Sequence, residues 1–289
     1  MQAEARAVAG AWRRMRTPCR ARHWVPTLER HAELEQHGIP GLLDAAAFKT
    51  AYTDYQQLMV DELNAFTVGK PDQQQETKAL VIEFARDPTK AHGFNVASMA
   101  WNNHFFFRGL NTRPNVQSRP STDLQHQINK DFSSTDTLRQ TLLDTADAMF
   151  GPGFVWLVQT NDSEFGNLRI LPTYLAGSPL SGAHYRRQSH NLNTHNPDSY
   201  HALNKVGSFG PTARPNHAPA ARQPLGGVDV VPLLCVDTWE HVWLQQYGIR
   251  GKRAFLEKWW DRIDWDMVAQ NMTRSPRPGQ GTRQPQFLY

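Results

Sequence analysis

Cysteines are scarce in this 289-residue sequence, which contains two, Cys19 and Cys235. They lie far apart and match no zinc-binding spacing, which excludes a disulfide-stapled scaffold and a zinc ribbon. Long apolar runs are missing as well, since stretches such as Phe105 to Phe107 fall far short of the roughly 20 residues that a membrane-spanning helix needs. We therefore expect a globular protein of a reducing compartment, with no membrane span.

Acidic residues are nearly absent from three segments, although the whole chain has 31 Lys and Arg against 27 Asp and Glu. Residues 1–26 are rich in arginine and alanine with one acid, Glu4, which is typical of a mitochondrial presequence. A basic arm without a targeting role is the alternative. Residues 181–227, with Asp198 as the single acid, form a predicted basic low-complexity insertion, and residues 269–289 form a basic tail.

The remaining chain has the apolar periodicity of a folded protein. A stripe with alternating steps of four and three predicts an amphipathic helix that ends near Asn64. Its members are Phe48, Tyr52, Tyr55, Met59 and Leu63. Ser134 is a good N-cap for another helix, with Gly151 as its stop. Further helices are predicted over about 76–86, 95–110, 239–247 and 252–263.

Short β-prone runs begin after Gly153, at 154–158, 168–171 and 231–236. The turn-forming residues 161–163 predict that the first two runs are neighbouring antiparallel strands. Helices followed by a small sheet with flanking helices predict an α+β fold.

One segment could carry chemistry. Asp237-Thr238-Trp239-Glu240-His241 places a carboxylate and an imidazole four residues apart, just after a buried strand. That spacing lets both side chains reach one metal ion. The alternative is a hydrogen-bonded, partly buried pair, because Asp and His occur at this spacing by chance in many helices.

Three segments resemble the iron/manganese superoxide dismutase family. Gly151 to Leu157 is similar to its Gly-Ser-Gly-Trp-x-Trp-Leu strand, Pro232 to Tyr247 to its Pro-Leu-Leu-x-x-Asp-x-Trp-Glu-His segment, and Trp259 to Trp265 to its Trp-Trp-Asn-x-Ile-Asn-Trp. The resemblance implies an N-terminal helical hairpin domain over 27–118. It also implies a C-terminal α/β domain over 119–268, with a three-stranded antiparallel sheet flanked by helices and interrupted by the insertion.

The family holds its metal with three histidines and one aspartate. By resemblance Asp237 and His241 occupy two of these positions, whereas Ala51 and Asn103 stand at the other two. A methyl group and a carboxamide do not replace imidazoles, so we expect no metal, no cofactor and no dismutase activity. His104 follows Asn103, but one residue is a turn of about 100° on a helix and aims it elsewhere.

Two side chains should then have structural roles. We expect Asp237 and His241 to form a hydrogen-bonded pair beneath Trp239 and Trp156. The same alignment puts Tyr55 where the family has a further histidine.

The sequence also resembles a group of dismutase-like proteins of the fungal mitochondrial small ribosomal subunit, through Gly38 to Leu42, Asn103 to Phe107 and the basic extensions. This resemblance implies a non-catalytic structural component of that subunit in the mitochondrial matrix, bound to small-subunit rRNA and ribosomal proteins. Arginine suits rRNA because it pairs bidentately with phosphate and stacks on bases. The candidate contacts are Arg186, Arg187, Arg214, Arg222, Arg274, Arg277 and Arg283.

The family also pairs Glu240 of one chain with His241 of another, which implies a dimer-type contact with a second copy or a dismutase-like sister protein. Two other functions stay open. One is a mitochondrial iron/manganese superoxide dismutase with an altered site that uses His104 and an unidentified ligand. The other is an RNA-binding protein outside the ribosome, and for the basic segments a solvated surface loop is the alternative.

Overall fold

The computed structural model describes residues 23–85, 87–114, 116–160, 166–183 and 230–273. Most of the presequence-like segment, nearly all of the insertion and most of the tail lie outside these ranges, so their boundaries remain predictions. None of the helices within the described ranges is long and apolar enough to cross a membrane.

The N-terminal half of the described chain is helical, as predicted. Its elements are α1 (His31–His37), α2 (Ala45–Phe48), a π-helical segment (Lys49–Asp54), α3 (Tyr55–Thr67), α4 (Thr77–Phe84) and α5 (Ala91–Arg108). The run from α2 to α3 is the first arm of a helical hairpin and α5 is the second, with α4 packed against α5. Helix α5 is buried on nearly all sides, which is why it shows no polar face.

The predicted continuous helix over the Phe48 stripe is wrong in one detail, because its second turn is π-helical. A π turn holds an additional residue, which rotates everything after it by about 100° relative to an uninterrupted α-helix. As a result Gln56 and Val60 are buried in α3, whereas Tyr55 and Met59 are partly exposed.

The C-terminal half contains the sheet and its flanking helices. Its elements are α6 (Thr122–Phe132), α7 (Thr135–Ala148), β1 (Gly153–Thr160), β2 (Leu168–Tyr174), β3 (Val230–Asp237), α8 (Glu240–Tyr247), α9 (Lys252–Trp260) and α10 (Trp265–Asn271). Ser134 is the N-cap of α7, as predicted, and accepts a hydrogen bond from the Thr137 amide at 3.0 Å. The sheet is antiparallel with the order β2-β1-β3, so the α+β prediction is confirmed.

Strand β1 is the centre of the fold, and each of its residues is buried. Trp156 on this strand stacks on Trp101 of α5, with ring centroids 5.9 Å apart. The indole of Trp156 also donates to Thr173 Oγ1 on β2 at 2.9 Å. A single hydrophobic core therefore joins the hairpin to the sheet.

Candidate metal centre

The C-terminal end of β3 positions the first candidate ligand, Asp237. This residue pairs with Phe154 of β1 and is completely buried. Its Oδ1 accepts a hydrogen bond from the Trp239 amide at 2.8 Å, while the Thr238 hydroxyl donates to the Gly153 carbonyl at 3.0 Å. The aspartate thus closes the turn between β3 and α8 through the backbone.

The protein environment disfavours a charge on Asp237. Burial is the main cause that raises the pKa of its carboxyl well above the usual value, and the carboxylate of Glu240 raises it further. The hydrogen bond from the Trp239 amide opposes the shift without reversing it. Its Oδ2 has no hydrogen-bond partner among the described residues.

His241 lies in the first turn of α8, with its ring stacked on Tyr55. The two ring centroids are 3.8 Å apart and the planes differ by 18°. Burial lowers the pKa of the imidazole to about 4, so that it is neutral at physiological pH. Neither ring nitrogen has a hydrogen-bond partner within the part of the chain that the structure describes.

The predicted hydrogen-bonded pair of Asp237 and His241 is therefore wrong. The carboxylate binds the amide of Trp239, and the imidazole packs flat against Tyr55. Trp239 does lie beside the imidazole, at 6.0 Å between centroids, but Trp156 packs against aromatic rings of α5 instead.

The two replaced positions, Ala51 and Asn103, face each other across the hairpin. Ala51 is completely buried in the π-helical segment, and Asn103 is completely buried on α5. The amide of Asn103 donates to the Ala51 carbonyl at 3.3 Å and to Gln56 Oε1 at 3.0 Å, and Gln56 in turn donates to the Ala100 carbonyl at 2.7 Å. Amide hydrogen bonds thus join the arms of the hairpin where the family has imidazole ligands.

His104 is held away from this cluster. Its Nδ1 lies 2.8 Å from the Tyr52 hydroxyl, and the residue lines a separate cavity beside Pro26. This is the orientation expected for a residue one position beyond Asn103 on a helix.

The residues present do not fit a redox metal ion. Catalytic metal sites need at least three protein ligands and an open position. Within the described ranges, no three His, Cys, Asp or Glu side chains lie close enough together to hold an ion. Two predicted ligand positions hold metal-binding residue types, namely Asp237, which is bound to a backbone amide, and His241.

Sequence reasoning missed two residues of this cluster. Tyr55 covers the imidazole of His241, and Gln56 of α3 bonds to Asn103 and to the Ala100 carbonyl on α5. Tyr55 aligns with a histidine of the family, so its place in the cluster could have been predicted. Gln56 gave no such signal, because its burial depends on the π-helical turn. All seven candidate rRNA-binding arginines lie outside the described residues.

Comparison with known proteins agrees with this architecture. Residues 120–187 and 204–271 match the C-terminal domain of iron/manganese superoxide dismutases. The chain belongs to the iron/manganese superoxide dismutase family, which defines its fold and leaves its activity open.

Among individual relatives, the chain is 25% identical to the small ribosomal subunit protein mS43 of Schizosaccharomyces pombe, over 89% of this chain and 87% of that protein. It is 30% identical to protein mS42 of the same organism, over 65% of this chain and 70% of that protein. It is also 25% identical to the iron superoxide dismutase of Nostoc sp., over 84% of this chain and 93% of that enzyme.

Proposed function

We propose that this chain is a structural, non-catalytic component of the mitochondrial small ribosomal subunit. The observation that carries the proposal is the similarity to small ribosomal subunit protein mS43, which runs over 89% of this chain. The identity to protein mS42 is 30%, compared with 25% for the iron superoxide dismutase of Nostoc sp..

The chemistry of the degenerate centre supports a role without catalysis. Ala51 offers no donor atom, and the amide nitrogen of Asn103 is used in holding the hairpin together. Dismutation needs an ion that changes its oxidation state, and two protein ligands hold such an ion weakly. The fold has therefore been kept for its surface.

Basic segments supply the contact with rRNA in this proposal. The insertion 181–227 and the tail 269–289 combine seven candidate arginines with almost no acids. Such segments bind phosphate by charge-assisted hydrogen bonds and release counterions as they do so. The arginine-rich composition of residues 1–26 supports a location in the mitochondrial matrix.

A dimer-type contact with a second copy or a dismutase-like sister protein completes the proposal. Glu240 is exposed at the start of α8, and the neighbouring His241 has two nitrogens without partners in the described chain. Phe150 and Leu175 are 97% and 59% exposed, and Leu175 bonds through its backbone to Pro152 and to the Trp239 indole. Leu175 therefore places exposed apolar surface beside Trp239, the residue before Glu240, where a partner could bind.

Sedimentation tests the main proposal. The full chain should migrate with mitochondrial small subunits in a gradient, and rising salt should release it. Replacing Arg214 and Arg222 by glutamine should lower the salt concentration of release, whereas the matched pair Arg119→Gln and Arg250→Gln on the folded body should lower it less. Failure of the wild-type chain to migrate with small subunits at low salt would contradict the proposal.

The runner-up is an iron/manganese superoxide dismutase with an altered site, which the dismutase relatives favour. Metal analysis of the purified chain separates the two functions. Stoichiometric iron or manganese together with superoxide turnover would support the enzyme, and a metal-free, inactive chain is expected here. Binding to RNA without any migration with small subunits would instead favour an RNA-binding protein outside the ribosome.

A further inference from the structure

A cavity of about 620 Å³ shares Gln56 with the degenerate metal centre, but none of the four predicted ligand positions lines it. It opens between the extended residues 23–26, the two arms of the hairpin and the loop before α4, and its walls include Trp24, Val60, Trp101 and His104. Its volume is in the range of pockets that bind small molecules, roughly 300–1,000 Å³.

The walls of the cavity are fixed by hydrogen bonds. The side chain of Asn64 accepts from the His23 amide at 3.1 Å and donates to the His23 carbonyl at 2.9 Å. The Tyr52 hydroxyl donates to the Pro26 carbonyl at 2.7 Å. The extended segment is therefore tied to the hairpin at both of its ends, and the cavity is formed before any ligand enters.

One wall presents a hydrogen-bond acceptor. Because the Tyr52 hydroxyl gives its proton to Pro26, its oxygen accepts the Nδ1 proton of His104, at 2.8 Å. Burial lowers the pKa of His104 to about 3, so the ring is neutral and its Nε2 carries a lone pair. His104 is 5% exposed, and no partner for Nε2 occurs in the described chain.

The wall beside this acceptor is apolar. Trp101 precedes His104 by three residues on α5, so the two side chains are neighbours on one face of the helix. The indole Nε1 of Trp101 is fully buried, so the ring presents carbon atoms to the cavity.

The charge of the lining limits the ligand further. The described lining residues include one acidic side chain, Glu76, and neither lysine nor arginine, and burial lowers the pKa of both His23 and His104. A phosphate would therefore find no cation in this lining. Trp24 is 70% exposed, so its ring is available for stacking at the mouth. The matching ligand is a flat, uncharged ring with a hydrogen-bond donor on its edge.

We propose that this cavity binds a single unpaired nucleobase, with a donor of its edge on His104 and its face on Trp24. Adenine offers the required donor, its amino group. The expectation that the base belongs to an RNA strand, with ribose and phosphate left outside, rests on the proposed ribosomal function. A free nucleoside offers the same chemistry.

Binding of the full-length chain to three probes tests the site. The probes are a single-stranded adenosine hexaribonucleotide, the same hexamer with abasic sites, and free adenosine. We expect the hexamer to bind at least about tenfold more tightly than its abasic form, because stacking of a base on an aromatic ring contributes about 1–3 kcal/mol. Trp24→Ala and His104→Phe should each weaken binding of the adenosine hexamer about tenfold.

Two matched variants serve as controls. Phe150→Ala removes another exposed aromatic ring, and His92→Phe removes another histidine of α5, so neither should change binding. Circular dichroism checks that each variant is folded, and the exposed Trp24 decides the outcome if His104→Phe does not fold. Equal binding of the abasic hexamer, or unchanged binding by Trp24→Ala, overturns the proposal.

The probes also separate the two sources. If the hexamer binds and free adenosine does not, the site is one for RNA strands. If free adenosine binds as tightly as the hexamer, the site is one for a nucleoside. The assay contains no ribosomes, so a chain that migrates with small subunits but binds no base refutes the cavity inference alone.

Discussion

The four ligand positions that the family resemblance predicts lie in two regions of this molecule, and the two regions differ. On the sheet side, at the junction of β3 and α8, Asp237 and His241 are residue types that bind metals. On the hairpin side, Ala51 and Asn103 stand where imidazoles are predicted, and an amide network with Gln56 fills the space. One half of the predicted centre thus has ligand-type residues, and the other half lacks them.

Structural duties explain why the sheet side is unchanged. Asp237 closes the turn after β3 through the Trp239 amide, and Thr238 bonds to Gly153 at the start of β1. Any substitute for the aspartate would have to bind the same amide. The hairpin positions need only fill volume and satisfy their neighbours, which a methyl group and a carboxamide can do.

The largest effect is expected where the sheet meets the hairpin. Trp156→Ala removes a fully buried indole that stacks on Trp101 and bonds to Thr173, so it should lower the free energy of unfolding by about 4 kcal/mol. Urea denaturation followed by circular dichroism measures it. The control Phe150→Ala, at a 97% exposed ring, should cost no more than about 0.5 kcal/mol. Equal losses of stability in the two variants would contradict a hydrophobic core shared by the sheet and the hairpin.

A second test concerns the sheet side alone. A Cβ atom at Gly153 would lie 2.3 Å from the Thr173 carbonyl oxygen, so Gly153→Ala must push β2 away and should cost about 2–3 kcal/mol. Gly151→Ala is the matched change, with open space around it and a φ of +102°, and should cost about 1 kcal/mol. If Gly151→Ala lowered the melting temperature more than Gly153→Ala does, close packing would not explain the glycine at position 153.

The hairpin side should respond to loss of its amide network. Asn103→Leu leaves Gln56 Oε1 and the Ala51 carbonyl without this donor, at a cost of about 2 kcal/mol in the free energy of unfolding. The double change with Gln56→Leu should cost less than the sum of the single changes, because the two side chains serve each other. Additive costs in a double-mutant cycle would argue against a coupled pair.

A smaller effect distinguishes ring packing from hydrogen bonding at His241. His241→Ala loses the stacking on Tyr55 and should cost about 1 kcal/mol, whereas His241→Phe keeps a ring there and should change stability by about 0.5 kcal/mol or less. Chemical denaturation of the purified chain measures both changes. A phenylalanine variant as unstable as the alanine variant would mean that the imidazole nitrogens do have partners.

The smallest effect lies on the surface, away from both regions. Arg253 and then Gln140 hydrogen-bond to Asp144 and lower the pKa of its carboxyl. A lowered folded-state pKa stabilises the protein above the unfolded pKa of about 3.9, and the contribution is lost as the pH falls through the folded value. Arg253→Gln should therefore lower Tm by no more than about 2 °C at pH 7 and by less at acidic pH. A larger difference in acid would contradict this sign.

The sequence predicted the elements whose signals are local. Ser134 marked the start of α7, and the apolar runs of β1 and β3 marked buried strands. Helix α6 was not predicted because its segment consists mostly of polar side chains. Leu124 and Ile128, its fully buried apolar residues, are too few to give a clear helical pattern.

The site was predictable in position and less so in geometry. Family resemblance placed Asp237, His241, Ala51 and Asn103, but it did not say which groups each side chain would bind. That depends on the rotation of α3 after the π-helical turn, which brings Gln56 inward and leaves Tyr55 against the imidazole. Such a turn is decided by tertiary packing, and short-range sequence pattern does not encode it.

The grip of Asn64 on the backbone of His23 has a consequence for how this protein can vary. The side-chain amide of Asn64 binds the backbone N–H and C=O of His23, as a neighbouring strand would. These hydrogen bonds do not depend on the type of side chain at position 23. Substitutions at His23 should thus be accepted far more readily than a change at Asn64. Among natural variants, the residue at position 23 is expected to vary, whereas Asn64 is expected to stay constant.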